Sequence, residues 1–313
     1  MSGVLSHRVL VVVLIGVLAV AGDACAQTTW YVDDDAPGDL GAGDPTVSDP
    51  NEDGSAAHPF DAIQEGINAA DDGDTVVVQD GTYTGAGNRD LDFDGRLITV
   101  RSANGAASCV IDCQGAGRGF HFHNGETAAA VVEGFTITNG TGDSGGGMYN
   151  WQSSPTVTQC TFSGNTADYD GGGMFNRDSS PTVTQCTFIG NTAADGGGMY
   201  NVSSSPTVTQ CTFSGNTAYG AAGMYNSYES SPTVTQCTFS GNTVSEFGGG
   251  MYNGSNTSPT VTQCTFSENT AWAGGGMLNG SNSSPTVTRC TFSGNEALSG
   301  GGGCATPATA ARR

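Results

Sequence analysis

The sequence GGGMYN at Gly145–Asn150, followed by SSPTVTQCTFSGNTA at Ser153–Ala167, recurs along the second half of the chain. Thr, Val, Tyr and Phe favour strands, whereas Gly, Asn, Ser and Pro mark turns, and no apolar stripe has a helical period. The repeat therefore predicts short strands joined by tight turns. Its copies follow at intervals of 25 to 27 residues, marked by Pro155, Pro181, Pro206, Pro232, Pro259 and Pro285.

A unit of about 26 residues with three short strands fits one coil of a parallel β-helix, with successive coils stacked about 4.8 Å apart. We predict an all-β, right-handed parallel β-helix solenoid, because parallel crossovers are overwhelmingly right-handed. Within the first coil, Met148, Val157, Cys160 and Phe162 are expected to point inward and Tyr149 outward.

Identical residues at one position of successive coils should stack into ladders. The repeated cysteines are expected to be buried free thiols, because their parallel Cβ vectors disfavour a disulfide torsion. Cys109 and Cys113 are the expected intramolecular exception. Asparagine tolerates turn conformations and its amide can hydrogen-bond along the stack. The ladders are Cys160, Cys186, Cys211, Cys237, Cys264 and Cys290; Asn165, Asn191, Asn216, Asn242, Asn269 and Asn295; and Asn150, Asn176, Asn201, Asn226, Asn253 and Asn279.

The N-terminus predicts export. Val9–Ala21 is a short apolar run, and Ala24 and Ala26 provide a small-residue cleavage site, which together are typical of a signal peptide. A lipoprotein signal with an acylated Cys25 is the competing interpretation. No later apolar run approaches the roughly 20 residues of a membrane-spanning helix. We therefore predict an extracellular or outer-surface protein without an integral membrane span after signal removal.

The rest of the chain divides by composition. Pro59–Ala70 has helical spacing and is predicted to form a short helix that caps the first coil. The predicted segments are a signal peptide (1–26), an acidic Gly/Pro-rich segment (27–58), the capping helix with irregular first coils (59–140), regular repeats (141–303) and an unstructured tail (304–313).

The charge balance excludes several functions. The chain has nine Lys+Arg against 30 Asp+Glu, a formal net charge of −21. All nine basic residues are arginines, so lysine-based catalysis is impossible. The negative charge would repel the phosphate backbone, which excludes nucleic acid as a partner.

The repeat resembles those of known exported proteins. FSGN at Phe162–Asn165 and GGGM at Gly171–Met174 are similar to the paired motifs of chlamydial polymorphic outer membrane protein repeats. The whole pattern resembles right-handed parallel β-helix proteins of the pectin-lyase-like superfamily. This resemblance implies the fold, and it implies polysaccharide lyase or glycoside hydrolase activity as one alternative.

Two groups of polar residues are candidates for chemistry. His121 and His123 alternate on one strand face, with Asp112 as a possible neighbour, so they are candidates for catalysis or for metal binding; structural histidines are the alternative. Near the predicted mature start, Asp33, Asp35 and Asp39 are candidate Ca²⁺ ligands, and a solvated acidic linker is the alternative. We predict no other cofactor.

An outward aromatic ladder is the most suggestive feature for function. Stacked rings could bind sugars or a partner protein, although stacking also stabilises a solenoid. The ladder is Tyr149, Phe175, Tyr200, Tyr225 and Tyr252. We therefore predict a non-catalytic exported β-helix protein, surface-associated or secreted, that binds polysaccharide or a cell-surface protein in an adhesin-like or matrix role. A polysaccharide lyase or glycoside hydrolase is the alternative.

Overall fold

The computed structural model describes residues 27–34, 51–299 and 301–305. Its strands form four sheets that run along the molecule and build a solenoid of about nine coils. Neighbouring strands pair in parallel and in register, so that Met148 lies beside Met174 and Val157 beside Val183. The predicted all-β parallel solenoid with coils of about 26 residues is confirmed.

Each sheet collects one position of the repeat and is named here for its residues. The TVT sheet contains Thr29–Val32, Thr75–Val78, Thr99–Ser102, Val131–Glu133, Thr156–Thr158, Thr182–Thr184, Thr207–Thr209, Thr233–Thr235, Thr260–Thr262 and Thr286–Thr288. The TFS sheet contains Gly81–Tyr83, Cys109–Asp112, Thr136–Thr138, Thr161–Ser163, Thr187–Ile189, Thr212–Ser214, Thr238–Ser240, Thr265–Ser267 and Thr291–Ser293. The TA sheet contains Thr141–Ser144, Thr166–Asp170, Thr192–Asp195, Thr217–Gly220, Thr243–Val244, Thr270–Ala271 and Glu296–Ala297. The Met sheet contains Phe120–Phe122, Met148–Trp151, Met174–Arg177, Met199–Val202, Met224–Ser227, Met251–Asn253, Met277–Asn279 and Cys304–Ala305.

A regular coil thus has four strands, and the expectation of three was wrong. The additional strand follows the turn at Asn165, where Thr166–Asp170 pairs with the coils on both sides. The Asn165 side chain accepts a hydrogen bond from Gly140 N and donates one to Ile137 O in the preceding coil. The residues that follow this turn form the short strand.

The core consists of stacked identical side chains. Met148, Val157, Cys160 and Phe162 are at most 1% exposed, which confirms their predicted inward direction. The phenylalanine rings stack nearly parallel, with centroids 4.7 Å apart and an interplanar angle of 3° for Phe188 and Phe213. Each buried phenylalanine contributes about 1.5–3 kcal/mol from burial. The repeat therefore generates one continuous apolar column.

Both asparagine series form hydrogen-bonded ladders, but at different places. Asn165 donates from Nδ2 to Asn191 Oδ1 over 3.1 Å at a turn. Asn150 donates from Nδ2 to Asn176 Oδ1 over 2.7 Å inside the Met sheet. The second series was expected in turns; it lies within strands and points inward, because it alternates with the outward aromatic residue.

Nine cysteines lie in the described residues, and all nine are free thiols. The repeated cysteines stack, with Cys186 N donating to Cys211 Sγ over 3.4 Å. Cys109 and Cys113 therefore do not form the expected disulfide. Four residues of extended strand span about 13 Å, which exceeds the Cα separation of a disulfide.

A short helix covers the first coil. The helix Ile63–Ala69 lies within the predicted segment and packs against Thr29–Val32 and Thr75–Val78. Its side chains Ile63 and Ile67 are fully buried against these strands. A 3₁₀ helix at Ala86–Asn88 contacts the same helix. The helix therefore shields the apolar column at this end.

At the other end, the predicted unstructured tail begins too early. Cys304–Ala305 pairs with Met277 and Leu278 and extends the Met sheet, because Cys304 takes the place of the repeated methionine. Residues 306–313 and the predicted signal peptide at 1–26 lie outside the described residues. No helix in the described part of the chain is long and apolar enough to cross a membrane.

Candidate functional site

The predicted aromatic ladder lies on the outer face of the Met sheet. Tyr149, Phe175 and Tyr200 stack with centroids 5.2 and 5.7 Å apart. The arrangement then changes, because Tyr225 meets Tyr200 edge-on at 70° and Tyr252 is tilted by 56° against Tyr225. The ladder is therefore regular in its first coils and irregular in the later ones.

The ladder is not exposed along its whole length, which corrects the expectation of a continuous outward surface. Phe175 and Tyr200 are 6% and 8% exposed, since each lies between two neighbouring rings. Ser227 Oγ also donates to the Tyr200 hydroxyl over 3.0 Å. Tyr149, Tyr225 and Tyr252 are partly exposed. The rings accessible to a ligand thus lie at two separate places.

Tyr225 and Tyr252 line the first of these places, a cavity of about 490 Å³ that we call the Tyr cavity. It opens where the turn before the repeated proline lengthens from four residues, VSSS after Asn201, to five, SYESS after Asn226. Tyr228 and Glu229 adopt positive φ angles of 44° and 64° in this turn, and Tyr228 is 72% exposed. The cavity is lined by Ser203, Tyr225, Ser227, Tyr228, Glu229, Tyr252, Gly254, Ser255 and Asn256.

The lining of the Tyr cavity combines ring faces with hydrogen-bonding groups. Burial, followed by the neighbouring phenols Tyr200 and Tyr252, raises the pKa of Tyr225, which therefore stays a neutral hydroxyl. Glu229 offers a carboxylate and Asn256 an amide. Apolar rings with a few polar groups can hold a small polar molecule that has an apolar face.

Tyr149 lines the second place, a cavity of about 390 Å³ that we call the His pocket. The rings of His121 and His123 are 4.2 Å apart, and His121 meets Tyr149 edge-on at 5.2 Å. The Arg118 guanidinium lies 5.3 Å from the Tyr149 ring centroid. The lining is completed by Asp143, Ser144 and the half-exposed Trp151.

The two histidines of the His pocket differ in their surroundings. His123 Nε2 lies 3.0 Å from Asp92 Oδ2. Burial lowers the pKa of His121, and the positive charges of His123 and Arg118 lower it further. His121 is therefore a neutral ring at pH 7, able both to donate and to accept a hydrogen bond.

The structure does not bring Asp112 to the histidines, so the predicted three-residue group is wrong. Asp112 ends a strand of the TFS sheet, whereas His121 lies in the Met sheet of the same coil. The Asp112 carboxylate accepts hydrogen bonds of 2.9 Å from Gln114 N and Asn139 Nδ2. It lines a separate shallow cavity of about 360 Å³.

Glu126, which follows the histidine strand, is 1% exposed and connects neighbouring turns. It accepts hydrogen bonds from Gly95 N over 2.9 Å and from Ser153 Oγ over 2.7 Å. Its carboxylate therefore has a structural role, in hydrogen bonds with Gly95 and Ser153.

Of the predicted Ca²⁺ ligands, Asp35 and Asp39 lie outside the described residues. Asp33 follows the first strand, and its backbone N–H donates to Phe60 O over 2.8 Å. The sequence analysis missed a different group, Glu52, Asp61 and Glu65, whose ligand atoms lie within 4.8 Å of one another. Three carboxylates supply six oxygens at most, the lower end of the six to eight that Ca²⁺ takes, and only if all three bind through both oxygens.

Burial raises the pKa of Glu65 to about 8, with further contributions from its hydrogen bond with Asp61 and from the charge of Glu52. At neutral pH the Glu65 carboxyl is therefore mostly protonated, which weakens Glu65 as a cation ligand. Asp61 and Glu65 are four residues apart at the start of the predicted helix, a spacing that places two side chains on one helix face and could have indicated this group.

The fold and its stacked repeats define a right-handed parallel β-helix repeat protein. The chain belongs to the family described as right handed beta helix region, whose sequence model matches residues 96–266, more than half of the chain. A model of the Chlamydia polymorphic membrane protein repeat matches residues 289–307.

Among solved structures, the chain is similar to one titled crystal structure of pectate lyase Pel9A, with a TM-score of 0.50 and 14% identity. The match covers 82% of this chain and 69% of the lyase. At this identity the likeness shows the fold alone. No curated protein sequence matches the chain.

Proposed function

We propose that this chain is a non-catalytic exported β-helix protein, surface-associated or secreted, that binds polysaccharide in an adhesin-like or matrix role. The observation that carries the proposal is the Tyr cavity, where Tyr225, Tyr228 and Tyr252 surround about 490 Å³ at a break in the repeat. Tyrosine rings pack against the apolar faces of sugar rings while their hydroxyls hydrogen-bond sugar hydroxyls.

The charges of the Tyr cavity support binding rather than hydrolysis. Glu229 is the one carboxylate among its lining residues. Glycoside hydrolysis in its usual form needs two carboxyl groups on either side of the bond. A single acid among phenols, hydroxyls and an amide is suited to hydrogen-bonding a neutral sugar.

The placement outside the cell rests on two sequence features. The chain starts with the predicted signal peptide at 1–26. The repeat of the chlamydial membrane proteins matches 289–307, which supports an outer-surface location.

The proposal is tested by measuring the affinity of the purified protein for a panel of neutral and acidic polysaccharides, with and without Ca²⁺. Tyr228→Ala removes the most exposed ring of the cavity and should weaken binding about tenfold, as expected for an aromatic anchor. Tyr169→Ala is the matched control, because Tyr169 is 64% exposed on another sheet. Equal affinities of wild type and Tyr228→Ala would contradict the proposal.

A carbohydrate-active enzyme is the second candidate, favoured by one observation: His123 contacts Asp92 at 3.0 Å in a cavity that Arg118 also lines. Its test is release of new chain ends from the same polysaccharides. The leading proposal predicts no release. Reproducible release that is lost in both His121→Ala and His123→Ala would replace it.

A further inference from the structure

Large apolar side chains are exposed in a row on the outer face of the TA sheet and in the turns that follow its strands. We call this row the aromatic stripe. Large apolar side chains exposed along one face of a protein often mark a binding surface. The stripe consists of Tyr169, Tyr219, Phe247, Trp272 and Leu298, which are 64%, 60%, 37%, 51% and 81% exposed.

The stripe follows the solenoid axis. Thr166 is paired with Thr192, and Thr192 with Thr217, so Tyr169 and Tyr219 lie two coils apart. At about 4.8 Å per coil, the stripe from Tyr169 to Leu298 spans about 24 Å. This is the length of about seven residues of extended polypeptide.

Carboxylates accompany the rings along the stripe. Asp170 lies directly beside Asp195 on neighbouring strands, and the Tyr219 hydroxyl donates to Glu246 Oε1 over 2.5 Å. Burial, and after it the charge of Asp195, raises the pKa of Asp170 to about 6. The described TA strands contain no arginine, and the chain contains no lysine. The Arg118 guanidinium lies at the first TA strand, where its Nε donates to Ser144 O over 3.2 Å, so the negative charge of the later TA strands is not matched by a basic residue of the sheet itself.

We infer that the aromatic stripe is a docking surface for an extended basic segment of a partner polypeptide. Arginine and lysine side chains would pair with the carboxylates and lie over the faces of Trp272 and Tyr219. Charge complementarity selects this occupant, because an acidic polysaccharide would be repelled by the same carboxylates. The proposed docking surface lies on another sheet than the Tyr cavity and meets it at Phe247.

The stripe approaches the Tyr cavity through Phe247, and the Asp170 and Asp195 carboxylates also act electrostatically on Tyr225 of that cavity. The ring of Phe247 lies 6.0 Å from that of Tyr252. A test that separates the two surfaces therefore leaves Phe247 unchanged and alters Tyr219 and Trp272.

The experiment measures fluorescence anisotropy of a labelled seven-residue peptide of alternating arginine and glycine, titrated with the full chain. A peptide with glutamate in place of arginine is the control ligand. We expect binding of the arginine peptide alone, weakened several-fold between 50 and 200 mM salt because screening reduces the charge attraction.

Two double variants test which residues hold the peptide. Tyr219→Ala with Trp272→Ala should weaken binding about tenfold, and Asp170→Asn with Asp195→Asn should both weaken it and reduce its salt dependence. Tyr228→Ala with Glu229→Gln is the matched control, in the turn after the Met-sheet strand Met224–Ser227, and should bind the peptide like wild type.

Three outcomes would overturn the inference: no binding of the arginine peptide, equal weakening in the Met-sheet control, or loss of polysaccharide rather than peptide affinity in the Tyr219 and Trp272 variant. Loss of sugar affinity in Tyr228→Ala with unchanged peptide affinity would leave both proposals standing. Comparable thermal unfolding of all variants establishes that they are folded.

Discussion

At the residue scale, the turn asparagines hold coils together through side chains. Asn216 donates from Nδ2 to Phe188 O over 3.0 Å and to Asn242 Oδ1 over 2.9 Å. Its Oδ1 accepts from both nitrogens of Asn191, N and Nδ2, over 3.0 Å each. Asn216 is fully buried, so water cannot replace these partners.

Replacing Asn216 with alanine should therefore be costly. The change leaves several buried donors and acceptors without partners, at about 1–3 kcal/mol for each unsatisfied group, so we expect a loss of about 2–5 kcal/mol in the free energy of unfolding. Urea unfolding measures it. Asn295→Ala in the last described coil is the control and should cost less, since Asn295 is partly exposed. Equal losses would contradict the role given to the ladder.

The free thiols make a second prediction. Burial raises the pKa of Cys113 to about 12, and the thiolate is the form that reacts with alkylating agents. Burial also keeps the reagent away from Cys109, Cys113 and the middle of the cysteine ladder, so iodoacetamide should label the exposed Cys304 in the native protein and leave those buried thiols unmodified. Mass spectrometry locates the label. After unfolding without reductant all nine should react; a protected Cys109 and Cys113 pair would contradict the structure.

At the element scale, the third glycine of each GGG motif controls how closely coils approach. A Cβ at Gly198 would lie 2.5 Å from Gly223 O and 2.9 Å from Phe213 Cδ1. At the preceding position, a Cβ at Gly197 would lie 2.6 Å from Thr217 O, yet the next coil carries the fully buried Ala222 at the same place. The second residue of the GGG motif is thus an alanine in one coil. The third residue lies against the phenylalanine stack in every coil where the motif is described.

Gly198→Ala should destabilise the protein by about 1–3 kcal/mol through overpacking, and Gly197→Ala should cost less. Urea unfolding of both variants gives the comparison. A larger loss for Gly197→Ala would show that the phenylalanine stack does not set the coil spacing.

The capping helix should respond to pH through Glu65. Its pKa in the folded protein is about 8 against an ordinary value of 4.5, so the folded state binds more protons between these values. The stability of the cap should accordingly be greatest below pH 4.5 and fall as the pH rises to about 8. Glu65→Gln should flatten this fall and raise the melting temperature more at pH 8 than at pH 5. An unchanged pH profile would contradict the raised pKa of the half-buried Glu65.

The regular elements were accessible to sequence analysis for a simple physical reason. Inward and outward residues alternate along the strands that contain Met148, Val157 and Phe162, so the pattern specifies which side chains face the core. The repeat then places each of them beside the equivalent residue of the next coil. The TA strands were missed because pieces as short as Thr243–Val244 have too few residues for a pattern. Their pairing depends on the asparagine turn, which only the assembled coils reveal.

The candidate sites were less accessible, because cavities depend on departures from the repeat. One additional residue before Pro232 lifts Tyr228 and opens the Tyr cavity, whereas sequence alone made all five ladder rings equivalent. Likewise, spacing could not show that Asp112 and His121 belong to different sheets of one coil.

On the scale of the whole molecule, the solenoid presents different chemistry on different sheets. The Met sheet carries the Tyr cavity and the His pocket, and the TA sheet carries the acidic aromatic stripe. The internal ladders repeat almost without change, so variation between coils is concentrated in the turns. A scaffold of this kind can acquire a binding site by altering one turn.

The central claim is that the Tyr cavity binds polysaccharide without cleaving it. The most direct measurement is calorimetric titration of wild type and Tyr228→Ala with the tightest-binding polysaccharide of the panel, followed by an assay of the same samples for new chain ends. We expect about tenfold weaker binding by Tyr228→Ala and no new ends in either sample. New chain ends with wild type, or equal affinity of the two proteins, would contradict it.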